Sequence, residues 1–316
     1  MTVSTTINVR VAEIQCLTPV VKAFTLVPPE GGELPGFSPG SHVVVHIPGE
    51  DRVYCNAYSL ASAADDRSRY RIAVRQQEVS RGGSAFMHGQ VKLGDLLQIS
   101  PPANLFAIDR RATRQILIAG GIGITPFMSY LHELPALGVP FELHYAYRDI
   151  SHAAFHEQLA AQLGCRLHRY NAARDEYLLP GELLAAQPLG THLYVCGPPG
   201  LIQAVIESAR DLGWPDSNIH YEQFTAPKPG KPFQVSCARR GCNVDVPADM
   251  SLLEALEAAG LDVPNLCRGG VCGQCETGLL EGEAEHCDSY LSEDARERRI
   301  MPCVSRARGT HLVLDL

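Results

Sequence analysis

A chain of 316 residues, 45% hydrophobic and 20% charged, has the balance of a folded protein with room for two or three domains. Its formal net charge of -8 gives no electrostatic footing for nucleic-acid binding. No apolar run reaches the roughly 18 residues of a membrane helix, and the start, MTVSTTINVRVAEIQ, lacks the basic-then-apolar layout of a signal peptide, so no membrane role and a cytoplasmic location are expected.

Residues 1–110 read as β. INVRVAEIQ, VKAFTLVP, SHVVVHIP and YRIAVRQQ alternate apolar and polar positions between Gly and Pro punctuation, which predicts an antiparallel barrel. The one helix candidate here is GSAFMHGQV, near residue 84. From 111 to 225 the pattern changes. QILIAGGIGITPFMSYLHEL is a strand, a glycine turn and a helix; FELHYAYRD, CRLHRYNA and HLYVCGPP supply strands, and HAAFHEQLAAQL and GLIQAVIESARDLG supply helices. That alternation predicts an α/β domain with a parallel sheet. Residues 226–232, inside TAPKPGKP, have a linker's composition. In the module 233–316, FQVSCARRGCNVDVPAD reads as a hairpin and SLLEALEAAGL as a short helix with Ser251 as N-cap and Gly260 at its end. This last module is acidic, with 8 Lys+Arg against 14 Asp+Glu, a charge suited to docking on a basic partner or simply to solubility.

Eleven cysteines are many for a cytosolic chain, where metal or cluster ligation is a better first account than disulfides. Cys267, Cys272, Cys275 and Cys303 give C-x4-C-x2-C-x27-C, the plant-type [2Fe–2S] spacing. Gly269, Gly270 and Gly273 let the loop wrap an anionic cluster with its amides turned inward, and Arg268 is expected to add positive charge beside it. The alternatives are a zinc site or thiols placed by chance; the Cys237/Cys242 pair of CARRGC reads as structural.

A one-electron cluster needs a carrier that splits electron pairs, which a flavin does. In NAYSL, Tyr58 is placed to cover a flavin ring and Ser59 to bond a ring nitrogen, while Arg81, Gly82, Gly83 and Ser84 open a helix as a phosphate site. Gly120, Gly121 and Gly123 allow a pyrophosphate to approach a strand-to-helix turn, and YVCGPPGLI adds a second turn at the same sheet edge. In YAYRD, Arg148 beside Asp149 favours NADH over NADPH, since an acidic group suits a free ribose hydroxyl.

AYSL, RGGSAFMH, AGGIGITPF, YVCGPPGLI, YEQF, CRGGVCGQC and IMPCVSRA occur in that order. With them the chain resembles the phthalate dioxygenase reductase family, which includes vanillate demethylase reductases. The resemblance implies a multi-domain chain: a ferredoxin-reductase-like antiparallel β-barrel flavin domain, an α/β parallel-sheet nucleotide domain, and an α+β β-grasp plant-type ferredoxin domain. It implies FMN rather than FAD, NADH, a monomer, and a Rieske-type terminal oxygenase as partner; a cytochrome P450 partner is the alternative, and an iron–sulfur redox sensor without turnover is the remoter one. Carried over, Tyr58 and Ser59 contact the isoalloxazine ring, with Ser59 steadying N5 as hydride arrives, and Asn56 and Ala57 belong to the same flavin site. Ala73, Val74 and Arg75 line the ribityl chain, Gly82, Gly83 and Ser84 hold the phosphate, and Phe224 lies against the flavin. Gly121, Thr125 and Pro126, with Cys196, Gly197 and Pro198, seat the nicotinamide nucleotide. One position departs: the family has R-x-Y-S, whereas Asn56 supplies no charge, so Arg52, Arg75 or above all Arg81 is expected to serve the phosphate.

Overall fold

The computed structural model describes residues 6–49, 53–78, 82–224 and 229–316, and the chain divides into two compact units, Met1–Phe224 and Thr225–Leu316. The first unit opens with β1 (Ile7–Thr18), β2 (Val21–Val27), β3 (Ser41–Pro48), β4 (Val53–Ser59), β5 (Tyr70–Arg75), α1 (Gly83–Gly89), β6 (Leu96–Ile99) and β7 (Ala103–Asn104). The strands lie in the order β4-β3-β6-β1-β2-β5, with β7 on β3, all antiparallel. Leu60, just past β4, bridges Ile72 of β5, so the two ends of that order meet and the sheet closes as a barrel. Period-2 alternation sends Val9, Phe24, Val43, Val45, Ile72 and Val74 into the barrel core with Met87 of α1, while Ala73 faces the other way.

The second half holds β8 (Arg114–Gly120), α2 (Thr125–Leu137), β9 (Phe141–Tyr147), α3 (His156–Leu163), β10 (Leu167–Asn171), α4 (Pro180–Ala185), β11 (Thr191–Cys196), α5 (Pro199–Asp211) and β12 (Ile219–Glu222). The order β10-β9-β8-β11-β12 is wholly parallel. The chain winds outward from β8 on one side and then returns to its other side at β11, so a crevice opens at the carboxyl ends of β8 and β11. Both faces are covered, which explains the unbroken apolar run of β8. Ile116, Ile118, Leu193 and Val195 pack with α4 and α5. Leu117, Ala119, Tyr145, Tyr194 and Cys196 pack with Phe127 and Tyr130 of α2, and the same core takes Val21, Ala61, Ala73 and Phe106 from the barrel side. The barrel and the parallel sheet thus share apolar contacts rather than hanging on a tether. The helix expected from residue 152 begins only at His156, because Phe155 has a φ of 61, in the left-handed region. Its buried ring lies 5.3 Å from the Arg71 guanidinium.

The second unit contains β13 (Phe233–Cys237), β14 (Cys242–Val246), α6 (Leu252–Ala258), β15 (Thr277–Glu281), β16 (Ala284–Glu285), α7 (Glu293–Arg296), β17 (Arg299–Ile300), β18 (Arg306–Ala307) and β19 (His311–Leu314). Its sheet runs β14-β13-β19-β15-β17, with β13 and β19 parallel and the other pairs antiparallel, and β16 and β18 form a separate ribbon. Ser251 caps α6 in a reciprocal box with Glu254, and Leu252, Leu253 and Leu256 pack into one core with Val235, Val246 and Leu312. A helix clasped by a mixed sheet is the β-grasp arrangement. Gly230 donates its N–H to Ala248 O at 2.8 Å and Arg306 donates to Lys231 O, so the described end of the linker is pinned to this unit.

Candidate functional site

Cys267, Cys272 and Cys275 sit in the loop between α6 and β15, and Cys303 follows β17. The fold brings the four thiols together as two electrostatically coupled pairs, Cys267 with Cys272 and Cys275 with Cys303. The bond from Cys272 and the N–H groups of Val271 and Gly269 hold the Cys267 thiol down to about 5, the Gly269 N–H lying 3.3 Å from its sulfur. In the second pair the bond from Cys303 lowers Cys275, and Cys303 itself is pushed up. Among the described residues, no three of these thiols come within 4.8 Å of one another. A single tetrahedral zinc ion would need all four sulfurs about 3.8 Å apart. Two separate thiol pairs, one per iron, with amides aimed at sulfur, fit a two-iron cluster.

The loop's glycines are required by conformation and by space together. Gly273 has a φ of 76, and a Cβ there would lie 2.2 Å from the Tyr290 ring; Gly270 has a φ of 74, and its Cβ would meet Val304 at 2.6 Å. Arg268, expected to add positive charge beside the cluster, pairs its guanidinium with Glu257. Cys237 and Cys242 are opposite each other in the β13–β14 hairpin, where two thiols alone make no ligand set.

On the barrel, Asn56, Ala57, Tyr58 and Ser59 end β4, Ala73, Val74 and Arg75 end β5, and Gly82, Gly83 and Ser84 open α1. The Asn56 amide donates to the Tyr58 hydroxyl at 3.1 Å, and burial pushes that hydroxyl up to about 12. A Cβ on Gly83 would fall 2.4 Å from the Asn56 amide nitrogen, and one on Gly82 would strike the Tyr54 ring. The side chain of β4 therefore occupies the space where α1 begins. Ser59 is buried, and among the described residues its hydroxyl has no hydrogen-bond partner; the Nε of Arg75 has none either. Orphaned donors at the ends of two adjacent strands fit a polar ring or phosphate chain. The Ser84 hydroxyl accepts from Gln77 N at 3.3 Å. Val74 points its side chain into the barrel core, its backbone pairs with Lys22 of β2, and its carbonyl also accepts from His88 in the tautomer that carries the Nε2 proton, so it presents no side chain to a ligand. Arg52 and Arg81 lie outside the described residues.

At the crevice of the parallel sheet, Ala119 of β8, Cys196 of β11 and Glu222 of β12 stand in register. The turns after β8 and β11 touch backbone to backbone. A Cβ on Gly123 would lie 2.2 Å from Cys196 O, one on Gly197 would lie 2.9 Å from Gly120 Cα, and one on Gly120 would meet Pro198 at 2.5 Å. Gly121 alone has open space before it, with a φ of 53. At Gly121 there is room for a ligand beside the backbone, whereas the other three are glycine so that the turns can pack. The buried Tyr145 hydroxyl donates to Gly121 O at 3.1 Å, and Thr125 turns its hydroxyl back to Ile122 O, with Pro126 opening α2. Arg148 is exposed. Asp149 accepts from Ser151 N at 2.8 Å, and its hydrogen bonds to Ser151 and His152 hold it down to about 2. Phe224, two residues past β12, is exposed.

Glu222 went unnoticed in the sequence. Its Oε2 is buried with no partner among the described residues, and burial pushes the carboxyl up to about 8. Burial likewise raises the Cys196 thiol, with the nearby Glu222 adding to it. The signal was available: YEQF ends the last parallel strand, and its glutamate falls at the carboxyl edge where ligands bind.

Three family descriptions match: "Oxidoreductase FAD-binding domain" over residues 8–108, "Dimethylamine monooxygenase subunit DmmA-like, N-terminal domain" over 97–219, and "2Fe-2S iron-sulfur cluster binding domain" over 235–308. The chain is 51% identical to the heme-dependent oxidative N-demethylase beta subunit of Ectopseudomonas mendocina, over 99% of this chain and 100% of that one. It is 45% identical to the carnitine monooxygenase reductase subunit of Acinetobacter baumannii, over 97% and 96%. The solved structure of phthalate dioxygenase reductase superposes with a TM-score of 0.88 at 34% identity, covering 98% of each chain. No helix among the described residues is long and apolar enough to cross a membrane. With a flavin-type barrel, a parallel nucleotide sheet and a plant-type thiol loop in one chain, this protein belongs to the phthalate dioxygenase reductase family, the flavin and [2Fe–2S] reductase components of oxygenase systems.

Proposed function

We propose that the protein draws electrons from NADH and delivers them, through FMN and a [2Fe–2S] cluster, one at a time to a terminal oxygenase that oxidises a methylated nitrogen compound. The observation that carries it is the division of four thiols into two pairs in a chain whose other unit joins a barrel to a parallel sheet. A bound flavin accepts an electron pair and releases it singly. The chain's own residues orient the exchange. Ser59 offers its orphaned hydroxyl to the flavin ring, Tyr58 and Phe224 cover its faces, and Arg75 with Arg81, Gly82, Gly83 and Ser84 serves its phosphate. Gly121, Thr125 and Pro126, facing Cys196, Gly197 and Pro198, seat the nicotinamide end, and the acidic Asp149 beside Arg148 favours a free ribose hydroxyl. Cys267, Cys272, Cys275 and Cys303 ligate the cluster. The working modules are 1–110, 111–225 and 233–316, acting as a cytoplasmic monomer.

The amine substrate rests on the 51% and 45% identical relatives, named for an N-demethylase and for the oxidation of carnitine, a quaternary ammonium compound. A Rieske-type acceptor is the first reading for the partner's iron centre, from the family resemblance. A heme oxygenase, of which a cytochrome P450 is one kind, is the second, favoured by the heme-dependent relative at 51% identity. An anaerobic NADH titration followed by absorbance and EPR tests the internal chain: uptake of about three electrons, two in flavin and one in the cluster, is expected. Flavin bleaching with a silent cluster would break it. Product formation with a purified Rieske or heme oxygenase then separates the two acceptors.

A further inference from the structure

In the parallel sheet His144 of β9 and His168 of β10 are direct cross-strand neighbours, and Glu142 precedes His144 by two residues, on the same face. Register therefore places three metal-ligand side chains together on rigid strands. The two imidazole rings stack with centroids 4.5 Å apart and planes 9° from parallel, so their Nε2 atoms emerge side by side. Glu142 Oε2 lies 3.4 Å from His144 Nε2 and 3.6 Å from His168 Nε2, and all three donor atoms fall within 4.8 Å of one another.

Three features single this cluster out. His144 is 3% exposed, yet its Nε2 makes no directed hydrogen bond. Its other nitrogen, Nδ1, is 2.9 Å from the Tyr170 hydroxyl. When Nδ1–H donates to Tyr170, Nε2 turns a lone pair toward the carboxylate, two acceptors with nothing between them. A buried imidazole oriented through its far nitrogen is the usual support of a metal-ligating histidine. Second, Arg114 ties the other carboxylate oxygen, Oε1, and so aims Oε2 at the gap. Third, the cluster has an entrance, because the His168 side chain is 42% exposed at the edge strand.

We propose that Glu142, His144 and His168 form a binding site for a divalent ion of the zinc and copper class, held by Oε2 and the two Nε2 atoms, with its remaining positions open to water. Two imidazoles and a carboxylate are the donors this class of ion prefers. The ion would tie edge strand β10 to β9. The site is independent of the electron-transfer reading and lies on other residues.

The test uses the oxidised holoprotein with flavin and cluster loaded, so that the cysteines are occupied, and Zn2+ as probe. Equilibrium dialysis with elemental analysis is expected to find one exchangeable Zn2+ per chain, and zinc-edge X-ray absorption to find a nitrogen and oxygen shell at about 2.0–2.1 Å without sulfur. His168→Ala and, separately, Glu142→Gln should weaken binding by about tenfold or more, while His132→Ala, an exposed histidine elsewhere, should not. Flavin and cluster absorbance verify that each variant is folded. No binding in the micromolar range, a sulfur shell, or affinity unchanged in both His168→Ala and Glu142→Gln would overturn the site.

Discussion

The thiol loop of the second unit and the paired turns of the first both depend on glycine, for different reasons. In the loop, Gly270 and Gly273 take positive φ within one short stretch, and they also lie against Val304 and Tyr290 from later in the chain. At the crevice, Gly120, Gly123 and Gly197 are needed because turns after two strands far apart in the chain meet backbone to backbone. The first requirement begins in local backbone conformation. The second exists only once β8 and β11 lie side by side.

The largest effect separates the two regions outright. Replacing Cys303 by Ala leaves an iron one ligand short, and visible cluster absorbance should disappear. Reduction of a protein acceptor should then fall by orders of magnitude, whereas NADH-driven ferricyanide reduction, which needs only the flavin unit, should survive. Loss of both activities would mean that the units do not work independently.

Next comes a contrast within one turn. Gly123→Ala drives a Cβ to 2.2 Å from Cys196 O, against backbone that cannot rotate away. A loss of roughly 2–4 kcal/mol of stability is expected, with weakened NADH binding. Gly121→Ala meets open space and bears only the strain of its φ, about 1 kcal/mol. Urea unfolding of the two variants measures the difference; equal costs would remove the packing account.

Legibility follows the same division. The cluster ligands were readable because four cysteines at fixed spacing allow few chemistries, and Ser251 was readable as a cap because capping is local. The barrel strands announced themselves by alternation, though short β6 and β7 did not. The helix over HAAFHEQLAAQL was overrun by four residues because nothing in propensity reveals that Phe155 turns left-handed to bury its ring. Glu222 beside Cys196, and Glu142 beside two histidines, are products of strand register and stayed invisible until the sheet order was known.

Glu222 gives the third test. Its carboxyl rises from 4.5 to about 8 in the folded chain because burial disfavours the charge. Between those values the folded state keeps a proton that the unfolded state has released, so stability falls as pH climbs through the window. Below about 4.5 both states are protonated and the penalty vanishes. Glu222→Gln, which mimics the neutral acid, should flatten that slope and leave the variant more stable than the parent at pH 8 and above. An unchanged pH profile in thermal unfolding would show that another group carries it.

The smallest effect concerns the one residue that departs from its family. Asn56 spends its amide on the Tyr58 hydroxyl and fills the space above Gly83, so it is a packing element more than a charge. Arg75, with an unpartnered Nε at the end of the neighbouring strand, already offers a cation for the flavin phosphate. Asn56→Arg restores the family pattern at a half-buried position, where one added ion pair is worth about 0.5–1 kcal/mol. Flavin retention on dilution should improve by about two- to fivefold, with the gain shrinking as salt rises. Retention that improves without salt dependence would mean that Arg acts by packing its stem rather than by charge. A drop in retention would mean that the Asn56–Tyr58 bond orients the ring more than an extra charge can repay, and that the departure is a working part of this barrel.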